Sequence, residues 1–265
     1  MNHFLTHGAI SWSELATDDP GAAAKFYASV FGWTTEVMPM PMGDYTVCQI
    51  NSAGMCGIMK KPEANMPNAW MYYLTVDDIN ETVKKATELG ATIVVPPFEV
   101  PTIGTFAGFQ DPQGAFIMAV TYDPSDVENN NANIDFANSF KTSGAFSWFE
   151  LRTPDPKAAA DFYSALLGWN VTIDNMGTGP YYTIKVGDVG IGGIIQPPPG
   201  PEVPPHWGAY VTVDDVDRTM NSITAGGGTI MMEPFDIEKV GRILMFQDPQ
   251  GAWLSAIKYV EMTAA

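Results

Sequence analysis

The sequence predicts an α+β protein made of two tandem copies of one domain, each copy holding two β-α-β-β-β units. Three observations predict it: motifs recur at a domain-sized spacing, strand-like and helix-like patterns follow in the same order in both copies, and a polar stretch separates them. Gly8-Ala9-Ile10-Ser11-Trp12-Ser13-Glu14-Leu15 returns as Gly144-Ala145-Phe146-Ser147-Trp148-Phe149-Glu150-Leu151. Phe26-Tyr27 returns as Phe162-Tyr163 and Gly32-Trp33 as Gly168-Trp169, all offset by 136. Further on, Val76-Asp77-Asp78 matches Val213-Asp214-Asp215, and Phe109-Gln110-Asp111-Pro112-Gln113-Gly114-Ala115 matches Phe246-Gln247-Asp248-Pro249-Gln250-Gly251-Ala252, now offset by 137. A period this long marks a duplicated domain and not a solenoid. A residue held in both copies serves the architecture or its site.

Each copy opens with alternating residues, 9–16 and 145–152, that read as strands. Asp19 or Asp155 then caps a helix whose first position is Pro20 or Pro156, where a missing N–H costs nothing. Apolar residues follow at helical spacing (Ala23, Phe26, Tyr27, Val30; Ala159, Phe162, Tyr163, Leu166), and Gly32 and Gly168 close the helices. Short glycine-rich strands come next, at 45–50 with 54–59 and at 182–186 with 189–195, ending in proline-rich turns at 62–67 and 197–205. The second half of each copy begins with a strand (70–76, 207–213) that leads through Asp-Asp into a helix. Strands at 92–95, 106–110 and 115–121 complete the first copy, with 229–232, 243–247 and 252–259 in the second. Asp-Pro-Gln-Gly is a tight turn between the last two strands. The glycine runs at 190–193 and 226–228 lack the spacing and basic residue of a phosphate loop, and read as strand bends and a helix stop. Domain boundaries are therefore 1–122 and 144–265, joined by a polar linker at 123–143.

Length agrees with two domains, each able to bury its own core: the chain has 265 residues, 46% of them hydrophobic. No apolar run reaches the roughly 18 residues of a membrane span, and residues 1–7 lack the pattern of a signal peptide, so a cytoplasmic protein is expected. Cys48 and Cys56 lie in the first copy alone and are read as buried thiols. A formal charge of −17 argues against nucleic acid or anionic membrane as partners. A small-molecule ligand and a monomer or homodimer are expected.

The ordered set of Trp-x-Glu-Leu strand, Asp-Pro helix ending Phe-Tyr…Gly-Trp, Val-Asp-Asp helix and Asp-Pro-Gln-Gly turn resembles the vicinal oxygen chelate superfamily. That group includes glyoxalase I, the bleomycin and fosfomycin resistance proteins and extradiol dioxygenases. The tandem form is similar to a two-domain bacterial glyoxalase-like subgroup. The likeness spans about residues 8–122 and 144–260 and implies two cupped mixed sheets. In the family each cup holds a divalent metal through His, His or Gln, and Glu. Carried over position by position, those ligands fall on Trp12, Met71 and Met118, and on Trp148, Gly208 and Ser255. None of these suits a divalent metal. The histidines, His3, His7 and His206, are scattered, so no metal and no other cofactor is expected; a site built from other residues is the less favoured alternative.

Residues two apart on a strand share a face. Glu14 therefore faces with Trp12, alongside Met71, Tyr73, Thr75, Phe116 and Met118; the second cup would hold Trp148, Glu150, Gly208, Tyr210, Thr212, Trp253 and Ser255. Glu14 and Glu150 are the candidate general bases, because a carboxylate desolvated against an indole suits proton transfer. Tyr73 or Tyr210 could donate to a carbonyl or enolate. Trp12, Met71, Met118, Trp148, Trp253 and Ser255 would form the walls of a substrate site. Arg242 could hold an anionic ligand group or make a surface ion pair with Asp236 or Glu238. Trp70 and Trp207 are expected at the rim, Trp33 and Trp169 in the core. The alternative role for the same residues is structural, with aromatics plugging the cups and each Glu bonded to backbone or to a Tyr hydroxyl. Two functions follow: an enzyme of the lyase, isomerase or hydroxylation range acting on a small carbonyl or aromatic compound, or a binder that sequesters one. Whether cups form within a copy or by exchange between copies stays open.

Overall fold

The computed structural model describes residues 2–40, 43–124, 136–175, 179–197 and 203–260. The first copy runs β1 (Ile10–Thr17), α1 (Pro20–Phe31), β2 (Thr34–Met40), β3 (Gly43–Ile50), β4 (Ala53–Lys60), β5 (Ala69–Thr75), α2 (Ile79–Glu88), β6 (Thr92–Val100), β7 (Gly104–Gln110) and β8 (Phe116–Tyr122). A short helix, α3 (Phe136–Ser139), precedes the second copy: β9 (Phe146–Arg152), α4 (Pro156–Leu167), β10 (Asn170–Asn175), β11 (Pro180–Val186), β12 (Val189–Ile195), β13 (His206–Thr212), α5 (Val216–Ala225), β14 (Thr229–Ile237), β15 (Gly241–Gln247) and β16 (Trp253–Tyr259). Most of the predicted linker, residues 125–135, lies outside the described residues, as does the centre of the 197–205 turn.

Local chemistry sets the helix ends as expected. The Asp19 carboxylate accepts the Ala22 N–H at 2.9 Å and Asp155 that of Ala158 at 3.0 Å, while Gly32 and Gly168 close the helices in the left-handed region at φ 74° and 69°. Three strands carry little sequence signal. β2 is exposed along nearly its whole length, and β6 and β14 run on through Pro96-Pro97 and Pro234 with shifts in register. All three lie at sheet edges, where one face or one row of backbone groups needs no partner and proline is tolerated.

Two mixed eight-stranded sheets result, ordered β2-β3-β4-β1-β5-β8-β7-β6 and β10-β11-β12-β9-β13-β16-β15-β14. Each is drawn from a single copy, so the sheets do not exchange strands. Compactness follows a different division. One body comprises Met1–Trp12, Met71–Asn131 and Trp148–Gly208; the other comprises Ser13–Trp70, Ala132–Ser147 and Ala209–Ala265. Each body thus combines half of one copy with half of the other.

The repeated motifs bind those halves. In the first body the Trp207 indole N–H donates to Tyr163 Oη at 3.1 Å, and the Tyr163 hydroxyl donates to Asp111 Oδ2 at 3.3 Å. Asp111 Oδ1 accepts the N–H groups of Gln113 and Ala115 at 2.9 and 3.0 Å. The Gln113 amide accepts from the Asp155 N–H and donates to the Asp155 carbonyl, both at 2.8 Å. The second body repeats the chain as Trp70 to Tyr27 (3.0 Å) to Asp248 (3.0 Å), with Gln250 on Asp19 N–H and carbonyl at 2.7 and 2.9 Å. The Asp-Pro-Gln-Gly turn of one copy therefore grips the Asp-Pro helix of the other. Burial raises the Asp111 carboxyl above its ordinary value, partly offset by the Ala115 and Gln113 N–H groups.

Trp70 and Trp207 are not at a rim. They are 7% and 6% exposed, because strand alternation turns them toward the buried Tyr27 and Tyr163, away from the face of Met71. Trp33 and Trp169 are core as expected, with indole N–H groups on the Gly144 and Gly8 carbonyls at 2.9 and 2.8 Å. Cys48 and Cys56 are free, buried cross-strand neighbours, and burial pushes the Cys56 thiol up.

Candidate functional site

In β9 the alternation puts Trp148, Glu150 and Arg152 on one face, and β11 brings Tyr181 to meet them. The Trp148 indole N–H donates to Tyr181 Oη at 2.7 Å, and the Tyr181 hydroxyl reaches Glu150 Oε2 at 3.3 Å. Arg152 Nε and Nη2 both approach Glu150 Oε1, at 3.1 Å each. Glu150 is 7% exposed, so its charge is held by these partners more than by water.

A glycine makes this reach possible. Gly193 lies directly across from Glu150 in the parallel β9–β12 register, and a Cβ there would overlap the Tyr181 hydroxyl. Tyrosine from β11 thus lies over β12 to touch a carboxylate on β9. The first copy builds the same device: Gly57 faces Glu14, a Cβ on it would overlap the Tyr45 hydroxyl, and that hydroxyl donates to Glu14 Oε2 at 2.8 Å. Glu14 is also 7% exposed. The tyrosines that meet the glutamates are Tyr45 and Tyr181, which the sequence analysis did not single out, and a Glu–Tyr hydroxyl bond is also the contact expected of the structural alternative. The missing signal was present, because Tyr45/Tyr181 and Gly57/Gly193 both recur at the offset of 136.

The other candidates divide into groups. Tyr73 and Met118 are buried in an apolar cluster with Val120, against which Trp12, Met71, Phe106 and Phe116 pack. Tyr210 and Ser255 are buried Cα partners on β13 and β16, and Met245 faces Ser255 from β15. Trp253 is 45% exposed at the start of its strand. Arg242 takes the ion-pair role: Nε and Nη2 each lie 2.9 Å from the Asp217 oxygens and Nη1 lies 3.1 Å from Asp236. Asp217, not Glu238, is its main partner. Since these groups are solvent-exposed, the pair is screened and weak, and Arg242→Ala is expected to leave ligand affinity within about twofold in a calorimetric titration.

His206, one residue before the predicted strand at 207–213, is the first residue of β13. Its Nδ1 lies 2.8 Å from the Pro204 carbonyl. Burial holds the imidazole below its ordinary pKa and the Arg152 charge pushes the same way, against the Pro204 carbonyl and Glu150. The folded protein therefore takes up this proton at lower pH than the unfolded chain. Its contribution to stability is present above about pH 6.5 and lost as pH falls through the folded value. Thermal midpoints measured downward from pH 7 should fall less steeply for His206→Gln than for wild type.

Paired mixed sheets of β-α-β-β-β units with a carboxylate on the central strand of each define a glyoxalase-type scaffold. The model of the Glyoxalase/Bleomycin resistance protein/Dioxygenase superfamily matches residues 2–119 and 145–255, and the chain belongs to that superfamily. It is 35% identical over 257 residues to CFP32 of Mycobacterium tuberculosis (strain CDC 1551 / Oshkosh), provisionally named a glyoxylase, with 95% of each chain covered. It is 29% identical over 271 residues to the anthracycline biosynthesis protein DnrV of Streptomyces peucetius, covering 96% of this chain and 94% of that one. In fold it is similar to the Mn(II)-bound glyoxalase of Novosphingobium aromaticivorans, with a TM-score of 0.66 at 17% identity over 97% of this chain and 84% of the other. The 2,3-dioxygenase LapB of Pseudomonas sp. KL28 gives a TM-score of 0.61 at 15% identity over 96% and 93%.

The family's metal is a poor fit to the residues here. At the implied ligand positions stand an indole and two thioethers in the first copy, and an indole, a glycine and a hydroxyl in the second. None is a carboxylate or imidazole, the donors that hold hard or borderline divalent ions. Among the described residues, no three His, Cys, Asp or Glu side chains gather as a donor set. Nor is any helix among them long and apolar enough to cross a membrane.

Proposed function

We propose that this protein binds a small carbonyl or aromatic compound against the Trp–Tyr–Glu face of its sheets and moves a proton with a buried glutamate, without the family's metal. The observation that supports this most is the Tyr–Glu pair made twice, each over a glycine that clears its path. A carboxylate taken out of water is costly unless it is paired or used, and a buried one recurs on the central strand of both sheets. In the second copy Arg152 and Tyr181 fix the orientation of Glu150. The carboxylate can then accept a proton from a carbon acid placed against Trp148, while the Tyr181 hydroxyl is close enough to stabilise the developing enolate. The first copy offers Glu14 and Tyr45 for the same chemistry. The names of the relatives, one a provisional glyoxylase and one tied to anthracycline biosynthesis, are consistent with small-molecule work. The strong negative charge disfavours nucleic acid and membrane as partners, and a cytoplasmic location fits this role.

Proton transfer is testable without knowing the substrate. In D2O, wild type should catalyse exchange of the α-protons of a panel of aldehydes, ketones and 2-oxo acids, followed by proton NMR. The double variant Glu14→Gln/Glu150→Gln should lower that rate by about 10²–10⁴-fold while keeping ligand affinity. Exchange no faster than the buffer background would end the catalytic reading. The sequestering reading draws on the apolar cluster of Trp12, Met71, Tyr73, Phe106 and Met118. It predicts that Trp12→Ala abolishes binding and that neither glutamate matters.

A further inference from the structure

We propose that the second body holds a binding site for a small primary ammonium ion, in the position that a lysine of this same chain fills in the first body. The site shares no residue with the Trp–Tyr–Glu faces and stands apart from the proton-transfer reading.

A cavity of about 220 Å³ lies between the last turn of α1 and the first turns of α5, with Val30, Phe31, Ser143, Asp214, Arg218 and Ser222 in its lining. All of these belong to one body. The matching corner of the first body is filled from within. There the Lys85 ammonium on α2 donates to the Leu166 carbonyl, in the last turn of α4, at 3.3 Å. His7 Nδ1 accepts the Asp77 N–H at 3.2 Å and lies 3.4 Å from the Asp77 carboxylate. By the repeat offsets, His7, Leu166, Asp77 and Lys85 correspond to Ser143, Val30, Asp214 and Ser222. Two serines therefore stand where the first body has an imidazole and an ammonium. Ser222 does not replace the lysine's contact, since its hydroxyl donates to the Arg218 carbonyl of its own helix at 3.3 Å.

What is left suits a cation. The carbonyls in the last turn of α1 carry the negative end of the helix dipole. Among them, that of Val30 is the counterpart of the lysine-bound carbonyl of Leu166. Asp214 and Asp215 set two carboxylates against the single guanidinium of Arg218. Asp215 also caps α5 by accepting the Arg218 backbone N–H at 2.9 Å, which offsets the positive end of that helix. A primary ammonium has three N–H donors. They meet the Val30 carbonyl, the Asp214 carboxylate and the Ser143 hydroxyl, while a short alkyl chain lies along Phe31 and Val213. Binding involves no covalent step.

Butylammonium, butanol and butyrate, matched in chain length and different in charge, test the site by NMR titration. Salt at about 0.15 M screens diffuse attraction to the acidic chain. Wild type should bind butylammonium at least about tenfold more tightly than butanol, as charge-assisted bonds predict. Ser222→Lys restores the first-copy ammonium and should weaken butylammonium about tenfold or more, because a tethered cation takes its place. Asn221→Lys adds the same charge one residue away, exposed and outside the lining. That variant should change affinity by less than about twofold. Ser143→His restores the other first-copy group and should also weaken binding, which decides the matter if Ser222→Lys fails to fold. No binding of butylammonium by wild type, or tighter binding of butyrate through Arg218, overturns the assignment. Equal losses from Ser222→Lys and Asn221→Lys, or folded grafts with unchanged affinity, do so too.

Discussion

Replacing Asp111 with alanine is expected to destabilise the protein by about 3–5 kcal/mol, because it leaves a buried Tyr hydroxyl and two backbone N–H groups without an acceptor. Asp111 receives the Gln113 and Ala115 N–H groups and the Tyr163 hydroxyl, and Tyr163 in turn receives the Trp207 indole. Asp111→Asn keeps one acceptor oxygen for the turn and should cost less, about 1–2 kcal/mol. Asp248→Ala should behave like Asp111→Ala, since its partners match one for one. Urea unfolding checks all three. Equal losses for alanine and asparagine would show that the acceptor role is not what holds the turn.

Gly193→Ala is expected to damage the site while sparing the fold. The new Cβ would overlap the hydroxyl end of Tyr181, which can swing away, so the loss of stability should stay at about 1–2 kcal/mol. The Tyr181 bonds to Glu150 and Trp148 would go with it. In a Glu14→Gln background, proton exchange should then fall by about 10²-fold, as a displaced catalytic group predicts, and Trp148 fluorescence should shift. One residue earlier, Gly192→Ala sends its Cβ into the Phe149 carbonyl. Backbone cannot swing aside, so that variant should fail in folding. A Gly193→Ala protein with unchanged exchange and fluorescence would remove the Tyr–Glu pair from the mechanism.

The helix starts were legible because capping is local: Asp-Pro before an apolar stripe and Gly after it determine both ends. The sheet faces were legible by alternation, which correctly grouped Trp12, Met71, Tyr73 and Met118. Alternation stops at the single strand, however. It could not show that a tyrosine two strands away crosses a glycine to reach Glu150, and so Gly193 was read as a bend. Edge strand β2 escaped because an exposed strand has no apolar period to display. His206 was misjudged by one residue of strand boundary, the least determinate feature of such readings.

The interleaving of the two copies has an evolutionary reading. A lone copy would carry the Asp-Pro helix start without the glutamine that grips it, and the Asp-Pro-Gln-Gly turn without the tyrosine it receives. Such a chain could complete itself only by reciprocal exchange with an identical molecule, a symmetric pair whose later fusion would give the present gene. Fusion also removes the symmetry constraint, so that one half can change its chemistry while its twin keeps the frame intact.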